Sequence, residues 1–188
     1  MPEMLDIVDE NGLPTGRAVP RTQAHAEGLR HRTSHVWILR KKYGVVQVLL
    51  QKRSDDKDSY PGRYDISSAG HIPAGQGFVP SALRELREEL GVDARAGDLH
   101  FCGRRCFALD EVFHGAPFHD RQVSNVYAMV LDREAAAFTP QPEEVSEVRW
   151  FALETCLRAV RQGAFPHCIY EEELRMVAAA VPALFPGE

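Results

Sequence analysis

Residues 79–92, Val-Pro-Ser-Ala-Leu-Arg-Glu-Leu-Arg-Glu-Glu-Leu-Gly-Val, constrain the fold more than any other stretch of the chain. At about 100° per residue, Val79, Leu83, Leu86 and Leu90 fall within about 60° of one another, a core-facing helical stripe. Pro80-Ser81 opens the segment and Gly91 closes it, which is the usual asymmetry of a helix start and stop. Glu85, Glu88 and Glu89 stand at i, i+3 and i+4 and fall within about 100° of one another. The expectation is a helix that buries its leucines and turns three carboxylates to solvent. Such carboxylates repel one another unless something neutralises them. Taken alone, the segment fits either a solvated acidic face salted by Arg84 and Arg87 or a site for a hard cation. Mg²⁺ and Mn²⁺ take oxygen ligands of this kind.

Around this helix the chain reads as a mixture of strands and single helices. Leu5-Asp6-Ile7-Val8-Asp9 alternates and runs into Asn11-Gly12, a strand entering a hairpin. Residues 20–30 are weakly helical. Val36–Leu39 and Val45–Leu50 read as strands joined by a turn at 41–44. A polar loop covers 54–63, and a short extended segment covers 64–70. Further strands are expected near 99–107, 123–131 and 147–151, with helices near 152–162 and 168–180. Trp150-Phe151 reads as core. No repeat or linker divides the chain, so one domain over residues 1–188 is expected, of α+β class with a mixed sheet.

Composition narrows the functional classes. The formal net charge of −5 speaks against a general nucleic-acid binder, because backbone phosphates reward a basic surface. A phosphate-bearing ligand would need metal ions or a local group of Arg and Lys. No stretch approaches the ~20 apolar residues of a membrane span, and the N-terminus lacks the pattern of a signal peptide, so a cytoplasmic setting is expected. Cys102 and Cys106 are spaced too widely for CxxC, and Cys156 and Cys168 stand singly; these four read as buried or incidental thiols.

Gly70, then Arg84-Glu85-Leu86, Glu88-Glu89 and Gly91-Val92, stand at the spacing of the Nudix box, and the chain resembles that family almost throughout the motif. One position departs: Gln76 stands where the family has Glu. The resemblance implies an α/β/α sandwich and metal-dependent attack of water on a diphosphate, with Mg²⁺ or Mn²⁺ held by Glu85, Glu88 and Glu89. It also implies a further ligand in the main-chain carbonyl of Ala69, with Arg84 completing the catalytic set. Gln76 keeps the shape of the missing Glu, close enough in sequence to support a bound water or to pair with Arg84.

Outside the box, Leu49–Ser54, Lys57, Pro61–Asp65 and Gly70-His71 resemble the isopentenyl-diphosphate-isomerase-like branch, as does His25 with Leu29–Arg32. That likeness implies that Arg53 and Lys57 grip a diphosphate. Their bland alternative is two solvated cations beside Asp55, Asp56 and Asp58. The same likeness makes His25, His31 and His71 a possible second metal group, while His35 is expected to be packed or hydrogen-bonded. True isomerases carry a Cys before the Gly-His pair, and a methyl group at Ala69 can neither donate nor accept a proton. Hydrolysis is therefore expected, with isomerisation and a catalytically weakened binding module as alternatives. Glu88, Glu111, Asp120 and Glu144 are the candidate general bases, Glu88 preferred. The expected partner is a small diphosphate substrate, nucleotide-like or isoprenoid-like, and a homodimer is possible.

Overall fold

The computed structural model of the protein describes residues 2–57, 59–113 and 115–187. Asp58, one of the acids flanking Lys57, lies outside them. Among the described residues the elements run β1 Met4–Val8, β2 Pro14–Pro20, α1 Arg21–Glu27, β3 His31–Lys42, β4 Val45–Arg53, β5 Tyr64–Asp65 and β6 Ser68–His71. Then follow α2 Phe78–Leu90, β7 His100–Phe113, β8 Ala116–Val130, β9 Val145–Ala152, α3 Leu153–Gln162 and α4 Glu171–Leu184. No helix is long and apolar enough to cross a membrane among the described residues.

β3 is the spine of a mixed sheet ordered β5-β4-β3-β8-β7, with β6 also on β3 and β9 also on β4. It runs parallel to β8 and antiparallel to its other partners. Its side chains alternate between two cores, because successive strand residues point to opposite faces. Val36 and Ile38 pack with Ala82, Leu86 and Leu90 of α2. Trp37 and Leu39 pack with Leu153, Cys156, Val160, Leu174 and Val177 of α3 and α4. Burial on both faces explains the unbroken apolar run at 36–39. The result is the expected α/β/α sandwich with a mixed sheet; Trp150 and Phe151 are partly buried against the two cores.

Along one edge, β3 pairs first with β6 and then with β4. Ser67 bridges the changeover: its Oγ accepts from Ile38 N at 2.8 Å and donates to Leu49 O at 2.6 Å. This side-chain bridge satisfies backbone groups that the ladder leaves without partners. It also lets β6 splay from β4, which opens a cleft at that end of the sheet.

Two boundaries differ from the sequence reading. Helix α2 begins at Phe78 with Gly77 as its cap, not at Pro80. Pro80 therefore sits in the first turn, where its missing N–H would have had no helical acceptor. The expected strands near 99–107 and 123–131 are longer and form one ribbon, with Ala108 to Phe113 paired to Arg121 to Ala116. Cross-strand contacts both polar and aromatic hold this arm: Asp110 accepts from Arg121 at 2.8 Å and from His119 at 2.6 Å, and the Phe113 and Phe118 ring centroids lie 5.3 Å apart.

Candidate active site

The cleft has a volume of about 1150 Å³ and is lined by α2, β6, the 54–63 loop, the β7–β8 arm and the first turn of α4. Its two ends carry different chemistry.

At one end stand the box glutamates. Measured from the centre of the leucine stripe, Glu89 lies about 90° round the helix, Glu85 about 130° and Glu88 about 170°. Burial follows that order: Glu89 is 7% exposed, while the Glu85 and Glu88 side chains are 14% and 47% exposed. The expectation that all three face solvent is thus corrected for Glu89, which lies at the seam between helix and sheet. Its Oε2 accepts from Ser68 Oγ at 2.7 Å and from Ala69 N–H at 3.3 Å. Burial pushes the Glu89 carboxyl up to about 8, with Glu85 and Glu144 adding to the rise. Burial also raises Glu85 to about 7, where the Glu88 charge adds and Arg84 opposes.

Arg84 spans the cluster, donating to Glu85 Oε1 at 2.6 Å and to Glu88 Oε2 at 2.8 Å, and to the His71 carbonyl at 3.4 Å. Gly70 is required by space: a β-carbon there would overlap the Glu85 carboxyl group. Gly91 is required by conformation and space together, because its φ is +64° and a β-carbon would meet Thr139. Gln76 is exposed, does not line the cleft, and is held through its main chain, with its carbonyl accepting from Arg32 at 3.0 Å.

The two cations of the polar loop do line the cleft. Arg53 donates to Asp65 at 3.1 Å and to the Ser59 carbonyl at 3.0 Å. Lys57 is ion-paired with Glu144. Neither is a free surface cation. Of the other candidate bases, Glu111 is exposed and borders an adjoining cavity, and Asp120 lies at the opposite end.

That end holds the histidines. His25 from α1, His31 from β3 and His71 from β6 have ring centroids 5.1–5.2 Å apart, and one nitrogen of each lies within 4.8 Å of the others. The Nε2 atoms of all three are buried without a hydrogen-bond partner among the described residues, as is Asp120 Oδ1, 3.5 Å from His31 Nε2 and 3.8 Å from His25 Nε2. Burial drives His25 down to about 3 and lowers His31 and His71, so the rings are neutral near pH 7. His31 Nδ1 lies 2.9 Å from the Leu29 carbonyl, which can only accept, so its proton sits on Nδ1 and its Nε2 lone pair faces the cluster.

His35 is hydrogen-bonded, as expected, but its partner Glu173 had no sequence signal beyond an acidic run at a helix start. Its Nδ1 lies 3.0 Å from both Glu173 oxygens. Glu173 also accepts from Trp37 Nε1 at 2.8 Å. Ser68, two residues before Gly70, was likewise missed, since no periodicity marks a single serine as a carboxylate's partner.

A glutamate-bearing helix laid on one face of a mixed sheet, with helices closing the other, defines the class of protein to which such sites belong. A family model for the NUDIX domain matches residues 29–167. The chain is 43% identical over 157 residues to Nudix hydrolase 3 of Arabidopsis thaliana, covering 81% of this chain and 19% of that protein. It is 36% identical over 143 residues to an uncharacterized Nudix hydrolase of Clostridium acetobutylicum, covering 76% and 66%. The chain therefore spans less than two thirds of the length of both. The crystal structure of a Deinococcus radiodurans protein superposes with a TM-score of 0.67 at 21% identity, covering 92% of this chain and 98% of that one. The chain belongs to the Nudix family.

Proposed function

We propose that the chain hydrolyses a diphosphate linkage in a small molecule, with Mg²⁺ or Mn²⁺ held by Glu85, Glu88, Glu89 and the Ala69 carbonyl. One observation carries this reading: two crowded, largely buried carboxyls, raised to about 7 and about 8, face a cleft of about 1150 Å³. Buried carboxylates this close need a cation or a proton, and oxygen-only donors on one helix suit a hard divalent ion. When bound, the ion would offset phosphate charge and acidify a water.

The chain's own residues supply the rest. Arg84 holds Glu85 and Glu88 side by side. Arg53 and Lys57 grip phosphate oxygens, Lys57 by exchanging Glu144 for the ligand. Glu88 and Glu144 remain the base candidates at this end of the cleft. The isopentenyl-diphosphate-isomerase-like branch is the finer placement we favour, on the strength of Arg53, Lys57 and the histidines. Isomerisation itself is not favoured, because Ala69 has no proton to give.

A second reading concerns the histidines. Three neutral imidazoles, each turning one nitrogen to the others, and one buried carboxylate oxygen are a donor set for a borderline cation such as Zn²⁺. The test is a screen of nucleoside diphosphates, dinucleotides and isoprenoid diphosphates with Mg²⁺ and Mn²⁺, before and after chelation. Turnover that is lost with chelator and restored by Mg²⁺ is expected; turnover indifferent to chelation overturns the reading.

A further inference from the structure

Among the described residues, Asp120 is the acid within 4 Å of His25 and His31 Nε2, and its carboxylate is held from behind. β3 and β8 pair in parallel with His31 opposite Gln122 and Thr33 opposite Ser124, so these residues share the cleft face of the sheet. Gln122 Nε2 donates to Asp120 Oδ2 at 2.7 Å. On its other side, Gln122 Oε1 lies 3.3 Å from Thr33 Oγ1 and 3.5 Å from Ser124 Oγ, and the two hydroxyls are 2.6 Å apart. Thr33 Oγ1 lies 3.2 Å from His35 Nε2, and His35 Nδ1 is held by Glu173. The series runs from the first turn of α4 to Asp120, whose Oδ1 lies 3.5 Å from His31 Nε2.

Only one orientation of the Gln122 amide satisfies both neighbours. The carboxylate on one side can only accept and so needs the NH₂, which leaves the amide oxygen for the hydroxyls on the other, and these can donate. With Oδ2 occupied in this way, Oδ1 is the oxygen left to face His25 and His31. Asp120 and Ser124 are buried, which raises the cost of any other arrangement.

We propose that Gln122 is a positioning residue that presents Asp120 Oδ1 to a cation at the three histidines. The Thr33 hydroxyl fixes the Gln122 amide, and the His35–Glu173 pair anchors that hydroxyl to α4. This inference rests on the histidine cluster binding a cation, and the experiment separates the two.

Co²⁺ alone is the probe, because an ion held four-coordinate by three imidazoles and one carboxylate oxygen absorbs far more strongly in the visible than a six-coordinate ion among carboxylates and water. The full chain is titrated with Co²⁺, as are Gln122→Met, Thr33→Val and Asp120→Asn, with melting followed for each. Gln122→Met keeps the length and removes the donor; Thr33→Val keeps the shape and removes the hydroxyl. The expected result is an intense band for the wild type, and affinity about tenfold or more weaker for Gln122→Met, the range for losing a ligand's supporting hydrogen bond. Its band should shift toward that of Asp120→Asn, and the two changes together should cost less than their sum. Thr33→Val should weaken binding in the same direction, and it carries the test if Gln122→Met does not fold. No intense band from the wild type overturns the four-coordinate site of three histidines and Asp120 on which the inference rests. A wild-type band that folded Gln122→Met or Thr33→Val reproduces at unchanged affinity overturns the role of Gln122.

Discussion

The carboxylates at one end of the cleft come from residues 85–89 of a single helix, whereas the imidazoles at the other come from α1, β3 and β6. In the first cluster burial and neighbouring acids hold Glu85 and Glu89 toward their protonated forms, and Arg84 opposes this at Glu85. The second is neutral, buried and short of hydrogen-bond partners. A helix can array acids by periodicity alone, because i, i+3 and i+4 are neighbours before any tertiary contact forms. Imidazoles from separate segments converge only once the sheet has set its register. The two clusters therefore differ in how perturbation should affect them.

The largest expected effect is at the helix. Glu89→Gln should lower turnover on the screened substrate by about a hundredfold or more, since one transition-state charge partner is worth several kcal/mol. Gln keeps an acceptor for Ser68 Oγ and Ala69 N–H, so the melting temperature should be preserved or raised. Near-normal turnover in Glu89→Gln and in Glu88→Gln would reduce the carboxylate face to surface chemistry.

Next comes the packing that brings the two ends together at Gly70-His71. Gly70→Ala forces a methyl group into the Glu85 carboxyl and should cost about 1–3 kcal/mol of stability as well as activity. Gly97, which has open space around its α-carbon, is the control, and Gly97→Ala should stay within about 0.5 kcal/mol. Urea midpoints read both. Equal midpoints would mean that Glu85 moves aside without cost.

The clusters should also bend the pH profile of metal-free stability in opposite directions. Glu85 and Glu89 have folded pKa values raised from 4.5 to about 7 and about 8. Their folded forms bind protons more tightly than the unfolded chain, so this contribution is full below 4.5 and is lost as pH rises toward 8. His25, His31 and His71 have folded pKa values below 6.5, so theirs is present above 6.5 and is lost as pH falls. Denaturant midpoints across pH 4–9 should show Glu89→Gln flattening the alkaline limb and His71→Gln flattening the acid limb. A variant that shifts both limbs equally would break the distinction.

The smallest effect is expected at Gln76. Adding a charge there with Gln76→Glu should lower the Mg²⁺ concentration for half-maximal turnover by a few-fold, because position 76 is exposed and solvent screens its field. An unchanged midpoint and unchanged turnover would put it beyond the cation's reach.

Much of this protein was legible without coordinates, and for one reason: the information was local. The leucine stripe marked which face of α2 is buried, although it turned Glu89 to solvent with Glu85 and Glu88. The box spacing pointed to the family, and the apolar run at 36–39 marked a strand. Gly91 could be read as a helix stop from its position alone. Tertiary structure decided what no window of sequence contains. It buried Glu89 against Ser68 and Ala69, paired Lys57 with Glu144, and carried the β7–β8 ribbon beyond the expected strand ends to Phe113 and Ala116. It also placed Glu173 beside His35, 138 positions away in the chain, and drew His25, His31, His71 and Asp120 to one point. Periodicity specifies direction within one element, but the distance between elements is set by strand register and by which core each face finds.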